Sequence, residues 1–304
     1  MLTRHSRKGI TWIDIETPTR EELQSVVEEF GINARIEEEI ISPTPYPLVV
    51  STAHYHYLIL HFPTTDPRGG AKNQEVDFIV GKNFLITARY EVIESIRSLH
   101  KVFEAEELLG LSAKDMSVEH LLERLLRHLY GAIREQTEQA VRVMDRIEED
   151  IFSGKERETV TSISMVGRVL LRFDTTLARH AEPLEALLEE LSKPTFFGKE
   201  FAHNALHIQA EHDHAASLVA SYRAVAQELR NTNDSLLSAS QNEIIKRLTI
   251  MTFAAFPLTV IASIFGMNAT LPFVDSKYGF FFILGIMLVA VSSFILYFRY
   301  KKWL

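Results

Sequence analysis

The chain closes with two long apolar runs: no charged residue occurs from 248 to 274, nor from 278 to 298. A helix of about 20 apolar residues rises far enough to cross the roughly 30 Å hydrocarbon layer of a bilayer. Each run therefore predicts a spanning helix, 248–268 and 278–298, joined by a short external loop, 269–277. Pro257 lies inside the first run, which a membrane helix tolerates where neighbours satisfy the freed carbonyl. Ahead of these runs the pattern is that of a water-soluble body. Residues 10–16 alternate as a strand does, and Thr17-Pro18 followed by Glu21 and Glu22 predicts a helix start. Segments 46–52, 55–62, 76–81 and 83–89 are rich in aromatic and β-branched residues and are separated by turn-forming stretches, which predicts further strands. A helix over 91–108 completes an α/β domain spanning 1–115. The pattern then changes to long helices, 117–151 and 156–191, in a region 116–198, and Ser192-Lys193-Pro194 marks a break before a third helix beginning near 199.

That third helix has no strong stop signal before Gly266, so a cytoplasmic stalk, 199–247, runs directly into the first span. Alternating steps of four and three residues keep to one face of a slightly supercoiled helix. From Ser217 this face carries Ser221, Ala224, Glu228, Asn231, Ser235, Ser238, Asn242, Ile245, Thr249, Thr252, Phe256, Thr259 and Ser263, and eleven of the fourteen positions are polar. The flanks are apolar, with Leu218, Val219, Tyr222, Leu236, Leu237, Ile244 and Leu248. A polar seam between apolar flanks predicts several copies of the helix around a wet axis. One chain supplies one such helix, so the pore requires a homo-oligomer of cyclic symmetry. Serines and threonines bonding back to their own helix carbonyls would explain the membrane part alone; the stripe, however, continues outside the span at the same spacing.

Charge sharpens the division. The protein has 304 residues, with 32 Lys and Arg against 40 Asp and Glu; the last 57 residues hold only Asp275, Lys277, Arg299, Lys301 and Lys302, leaving the body eleven charges negative and the tail three positive. An acidic body has no basic excess with which to release phosphate counterions, which excludes nucleic acid as a partner. Cysteine is absent, excluding disulfides, thiol catalysis and zinc-thiolate sites. Arg299, Lys301 and Lys302 follow the second span in a basic tail, 299–304, so the positive-inside rule places the C-terminus in the cytoplasm. A two-span hairpin then puts the N-terminal body there as well, in a multi-pass protein of the cell (inner) membrane, in agreement with an N-terminus that lacks a secretory signal.

The first span ends in Phe265-Gly266-Met267-Asn268. Together with the approach Asn242-Glu243-Ile244-Ile245-Lys246-Arg247-Leu248-Thr249, the segment Phe256-Pro257-Leu258-Thr259, a second span and a basic end, this resembles the CorA family of divalent-cation channels. The resemblance implies a funnel-shaped homopentamer passing Mg2+, with Co2+ and Ni2+, inward through a pore lined by the long helix. It assigns Asn242, Ile245, Thr259, Ser263 and Asn268 to the pore wall, Gly266, Met267 and Asn268 to a selectivity mouth, and Ile245, Leu248 and Phe256 to a hydrophobic gate. Mg2+ gives up water reluctantly, so a ring of Asn268 amide oxygens suits recognition of the hydrated ion, and apolar constrictions stop hydrated ions by dewetting. The chain departs from the family pattern in three places. Phe265 replaces a tyrosine, the outer loop has Asp275 as its sole acid, and His207 stands where relatives use an aspartate for intersubunit Mg2+ sensing. Asn231 falls at a position often acidic, and Glu228 one turn earlier supplies a charge on the same face.

Four residues of the stalk, His203, His207, Glu211 and His214, lie within about 80° of one another on a helical wheel. Imidazole with carboxylate suits Zn2+, Co2+ or Ni2+ better than Mg2+, so a regulatory metal cross-linking subunits is one reading and a solvated polar face the other. His54, His56 and His61 alternate on a strand and read as surface or core. Two alternatives to a Mg2+ channel stand beside it: a zinc transporter of the same fold, and a membrane-anchored sensor or scaffold, which predicts an apolar seam on the long helix. No resident cofactor is expected; the divalent cation is both cargo and regulator. No phosphate-binding glycine loop, placed nucleophile or catalytic metal triad points to an enzyme.

Overall fold

The computed structural model describes residues 1–7, 9–65, 71–109, 117–267 and 278–301, with the side chains of 65 and 107 excepted. Six strands form one sheet: β1 (Leu2–Arg7), β2 (Ile10–Glu16), β3 (Leu48–Ser51), β4 (Tyr55–Thr65), β5 (Ala71–Gly81) and β6 (Phe84–Arg89), in the order β1-β2-β6-β5-β4-β3. Among the described residues only β2 and β6 pair in parallel, in a register that sets Ile13 opposite Ile86. The helices are α1 (Arg20–Phe30), α2 (Ala34–Ile41), α3 (Glu94–Leu108), α4 (Val118–Phe152), α5 (Glu156–Ala178), α6 (Ala181–Leu191), α7 (Ala202–Phe265) and α8 (Gly279–Tyr300). A short 3-10 turn, Gly198–Phe201, leads into α7. The described residues group into two compact units, Met1–Asn231 and Thr232–Leu304.

In the first unit the central strands are buried along most of their length because the sheet is covered on both sides; apolar positions predominate, with buried exceptions at Asp14, Asp77, Thr87 and Arg89. Side-chain parity sorts the two cores. Tyr57, Ile59, Ile79 and Ile86 face α1 and α2, whereas Leu58, Leu60, Phe62 and Phe78 face the larger helical layer and share a core with Leu125, Tyr130, Phe173, Leu187, Ile208 and Val219. The stalk's N-terminal part is thus anchored by the same core that covers the sheet. Helix α1 starts with a reciprocal capping box between Thr19 and Glu22 and stops at Gly31, whose φ of 64° is a left-handed conformation that costs glycine little.

A charged network holds the parallel seam. Arg89 on β6 donates to Asp14 on β2 at 2.9 Å and bonds Glu16 at 2.7 Å, Thr87 donates to Asp14 at 2.7 Å, and His100 Nε2 lies 3.0 Å from the same carboxylate. Burial alone would raise the Asp14 pKa, but these donors outweigh it and hold the carboxyl below its ordinary value.

Three features depart from the sequence reading. Residues 2–7, polar and unassigned above, form the edge strand β1, held by backbone pairing with β2. Helix α2, capped by Asn33, covers a sheet face through Ile36 and Ile40. The helix anticipated over 156–191 is two helices, α5 and α6. At the break, fully buried His180 places Nε2 2.8 Å from the His61 carbonyl and Nδ1 3.2 Å from the Tyr130 hydroxyl. The chain turns there to make a tertiary contact that no local signal announces. One of the turn-forming stretches between the strands, 66–70, and the proposed 115/116 domain boundary lie outside the described residues.

Candidate functional site

Every stripe residue up to Ser263 lies on α7, a single helix of 64 residues that contains Pro257. Glu228, Asn231, Ser235, Ser238, Asn242, Thr252, Thr259 and Ser263 are exposed, and Thr249 is half-buried. The apolar members of the gate are exposed too: Ile245 is 60%, Leu248 58% and Phe256 65% accessible. The membrane hydroxyls do bond to their own helix. Thr249 donates to the Ile245 carbonyl at 2.8 Å, Thr252 to Leu248 at 2.9 Å and Thr259 to Ala255 at 3.1 Å; outside the apolar run Ser238 donates to Asp234 at 2.9 Å. The back-bonding account of these hydroxyls is therefore correct for the isolated chain. It does not remove them from ion chemistry. A hydroxyl whose proton is spent on a carbonyl keeps oxygen lone pairs, and the outer surface of a hydrated cation presents water hydrogens that need acceptors.

At the end of α7 the Gly266 N–H donates to the Ala262 carbonyl at 2.9 Å. A Cβ built on Gly266 would stand 2.9 Å from that same backbone oxygen, which cannot swing aside. Glycine at this position is required by close approach of the helix's own backbone. Met267 follows, 64% exposed. Asn268, the third residue of the mouth, lies outside the described residues, as do 269–277, with Asp275, and 302–304.

The most apolar 18-residue stretch of α7 is wholly unburied, and that of α8 is 6% buried. Neither apolar stretch packs into a core of the described residues, whereas the N-terminal part of α7 does, through Ile208, Ala215 and Val219. In the second unit the two helices meet through Phe253 and Phe298, whose ring centroids are 6.3 Å apart.

Of the stalk quartet, the structure brings together His203 and His207, with ring centroids 4.1 Å apart. Glu211 is instead engaged by Arg134 and by Arg127, and His214 is exposed. Among the described residues no three or more of His, Cys, Asp and Glu gather where a metal ion could be held. His207 Nδ1 lies 3.0 Å from Oε1 of Glu123 on α4, and Asn204 donates to Oε2 of the same carboxylate at 2.6 Å. Burial would raise the Glu123 pKa, but the bonds from His207 and Asn204 and the charge of Arg127 prevail and hold it below 4.5. Since a carboxylate only accepts, His207 carries its proton on Nδ1, and Nε2 is the atom left for a further ligand.

A model of the family described as "CorA-like Mg2+ transporter protein" matches residues 7–302, nearly the whole chain. The chain belongs to the CorA-like Mg2+ transporter family. Among its curated relatives is the cobalt/magnesium transport protein CorA of Thermotoga maritima, 27% identical over 97% of this chain and 83% of that protein. The protein of the same name from Methanocaldococcus jannaschii is 23% identical over 97% of this chain and 92% of its own length. The solved complete structure of the CorA magnesium transporter from Methanocaldococcus jannaschii superposes with a TM-score of 0.84 at 22% identity, covering 99% of this chain and 93% of that one. The CorA fold thus extends over the α/β sheet domain, the long helix and both apolar C-terminal helices, and the chain is a two-span membrane protein of a transporter family.

Glu123 and Asn204 were not among the residues singled out from the CorA-like sequence. Glu123 is 81 residues from Asn204, and only the pairing of α4 with α7 joins them. The one local trace is Arg127 at i+4 from Glu123.

Proposed function

We propose that this chain passes divalent cations, Mg2+ foremost and Co2+ and Ni2+ beside it, across the cell's inner membrane through a homopentameric pore, with both termini cytoplasmic. The observation that carries this reading is a largely exposed polar stripe on the same helix as an unburied apolar stretch, interrupted by small Ala224 and by bulky Ile245 and Phe256 and ending at the constrained Gly266. Copies of α7 set side by side would cover the apolar flanks and turn the oxygen-bearing face inward, where hydrated ions meet acceptors. Asn268 would add neutral amide acceptors at the mouth, and Ile245, Leu248 and Phe256 would form the dry closure. The curated relatives named as cobalt/magnesium transport proteins support the cargo. The test is ion flux into proteoliposomes compared across Mg2+, Co2+, Ni2+ and Zn2+, with native mass measured on the same preparation. Mg2+ flux from a pentamer is expected; a stable monomer or dimer, or liposomes tight to Mg2+, would end the reading.

The proximity of His203 and His207 favours a second element. We infer that Nε2 of His207, with His203, binds cytoplasmic divalent metal between subunits and biases the pore towards closure. Zn2+ exceeding Mg2+ in the flux series would shift the cargo to the zinc-transporting alternative.

A further inference from the structure

The body carries a net negative charge, yet one cleft in it is basic. Between α5 and α7 lies a cavity of about 350 Å3 lined by three arginines, Arg168 from α5 and Arg223 and Arg230 from α7. Ser164 and Gln227 add neutral hydrogen-bonding groups to the lining, Gly167 leaves the α5 wall without a side chain, and nothing lies within 4 Å of where its Cβ would be. Buried Ile163 and Ala226 give the cleft an apolar floor.

The three arginines are not equivalent. Arg223 is committed to Asp174, with Nη1 2.5 Å from Oδ2, and this pair ties α7 to α5 at one end of the cleft. Arg168 and Arg230 have no ion-pair or hydrogen-bond partner among the described residues. After the Asp174 charge is set against three guanidinium groups, about two positive charges remain on forks that present paired N–H donors. That charge and geometry match a phosphate group, which offers several acceptor oxygens and up to two negative charges; a single carboxylate would leave one fork unused. The volume is at the small end of ligand pockets, about 300–1,000 Å3.

We propose that this cleft binds a phosphate-bearing small anion, held by Arg168 and Arg230 with Ser164 and Gln227 as neutral partners. The same chemistry is offered by a free polyphosphate and by the headgroup of an anionic lipid. The proposal does not depend on which cation the protein carries.

The experiment uses the full chain in neutral detergent in Mg2+-free buffer, titrated calorimetrically with inorganic pyrophosphate. In parallel, phenylglyoxal labelling of arginines is read residue by residue by mass spectrometry, with and without pyrophosphate, and in bilayer discs of phosphatidylcholine with and without phosphatidylglycerol. Binding is expected to protect Arg168 and Arg230 from labelling, while Arg172, outside the cleft, stays reactive. The double variant R168Q/R230Q should bind on the order of tenfold or more weakly, since each lost contact is a charge-assisted hydrogen bond. R168K keeps the charge and loses the fork, so it should also bind more weakly, and it serves if the double variant fails to fold. Protection by pyrophosphate identifies a free anion, and protection by phosphatidylglycerol alone identifies a headgroup; either supports the site. Absence of protection from both, or equal binding by wild type and the arginine variants, would overturn it.

Discussion

His207 on the stalk and Glu123 on α4 face each other across the helical layer, with Nδ1 3.0 Å from Oε1. A residue singled out as a candidate metal ligand therefore rests on a largely buried carboxylate, which selects its tautomer and directs its second nitrogen outward. If that nitrogen senses metal, His207→Ala weakens inhibition of flux when Mg2+ or Zn2+ is titrated on the cytoplasmic side. Inhibition curves identical to wild type for both ions would reduce the stalk histidines to a solvated face.

The same pair has a consequence for stability. The folded-state pKa of Glu123 is depressed, so its contribution is present above the unfolded value, near 4.5, and is lost as pH falls through the folded value. Glu123→Gln should destabilise the fold near neutral pH by about 1–3 kcal/mol, the range for a hydrogen-bonded charged group. The gap to wild type should narrow below pH 4.5. Denaturant midpoints measured from pH 7 down to about 3 check both the size and the direction.

His180 behaves in the opposite sense to a salt-bridged histidine. Burial is the main cause that pushes its pKa down from 6.5 to about 3, and its two bonds suit the neutral ring, Nε2–H donating to the His61 carbonyl and Nδ1 accepting from Tyr130. Between those values the unfolded chain takes up a proton that the folded chain refuses, so stability falls as pH drops from 6.5 towards 3. His180→Gln, able to keep one donor and one acceptor, should flatten that part of the stability profile. An unchanged slope would show that this histidine does not set it.

Gly266→Ala places a methyl group 2.9 Å from the Ala262 carbonyl, so the end of α7 must shift where the mouth begins. Loss of Mg2+ uptake with assembly intact is the expected result, and Asn268→Ala should match it. Wild-type flux in both variants would remove the Gly266-Met267-Asn268 motif from the transport step.

Ile245 and Phe256 are the bulky apolar members of a mostly polar face. Replacing either by serine should wet the closed path and raise basal flux, whereas Ile250→Ser, off the stripe, should not. Flux through closed-state proteoliposomes at high cytoplasmic Mg2+ separates the two outcomes, and equal leak in all three variants would argue for general disruption of the bilayer segment.

The two apolar helices and five of the six strands were legible in the sequence because each depends on local pattern: about 20 apolar residues in a row, or a step of two. The same holds for the break after Leu191. What stayed hidden rests on partners far along the chain. Strand β1 is polar and is a strand only because β2 offers it an edge. The α5–α6 break exists for His180 to reach β4 and α4, and Glu123 meets Asn204 and His207 only once α4 and α7 pack. The arginine cleft belongs to the same class. Arg168 and Arg230 are 62 positions apart, and in the sequence each is one exposed helical arginine among many. Periodicity assigns a side chain to a face of its own element; which faces meet, and so which charges end up without a counterion, is decided by the packing of the elements.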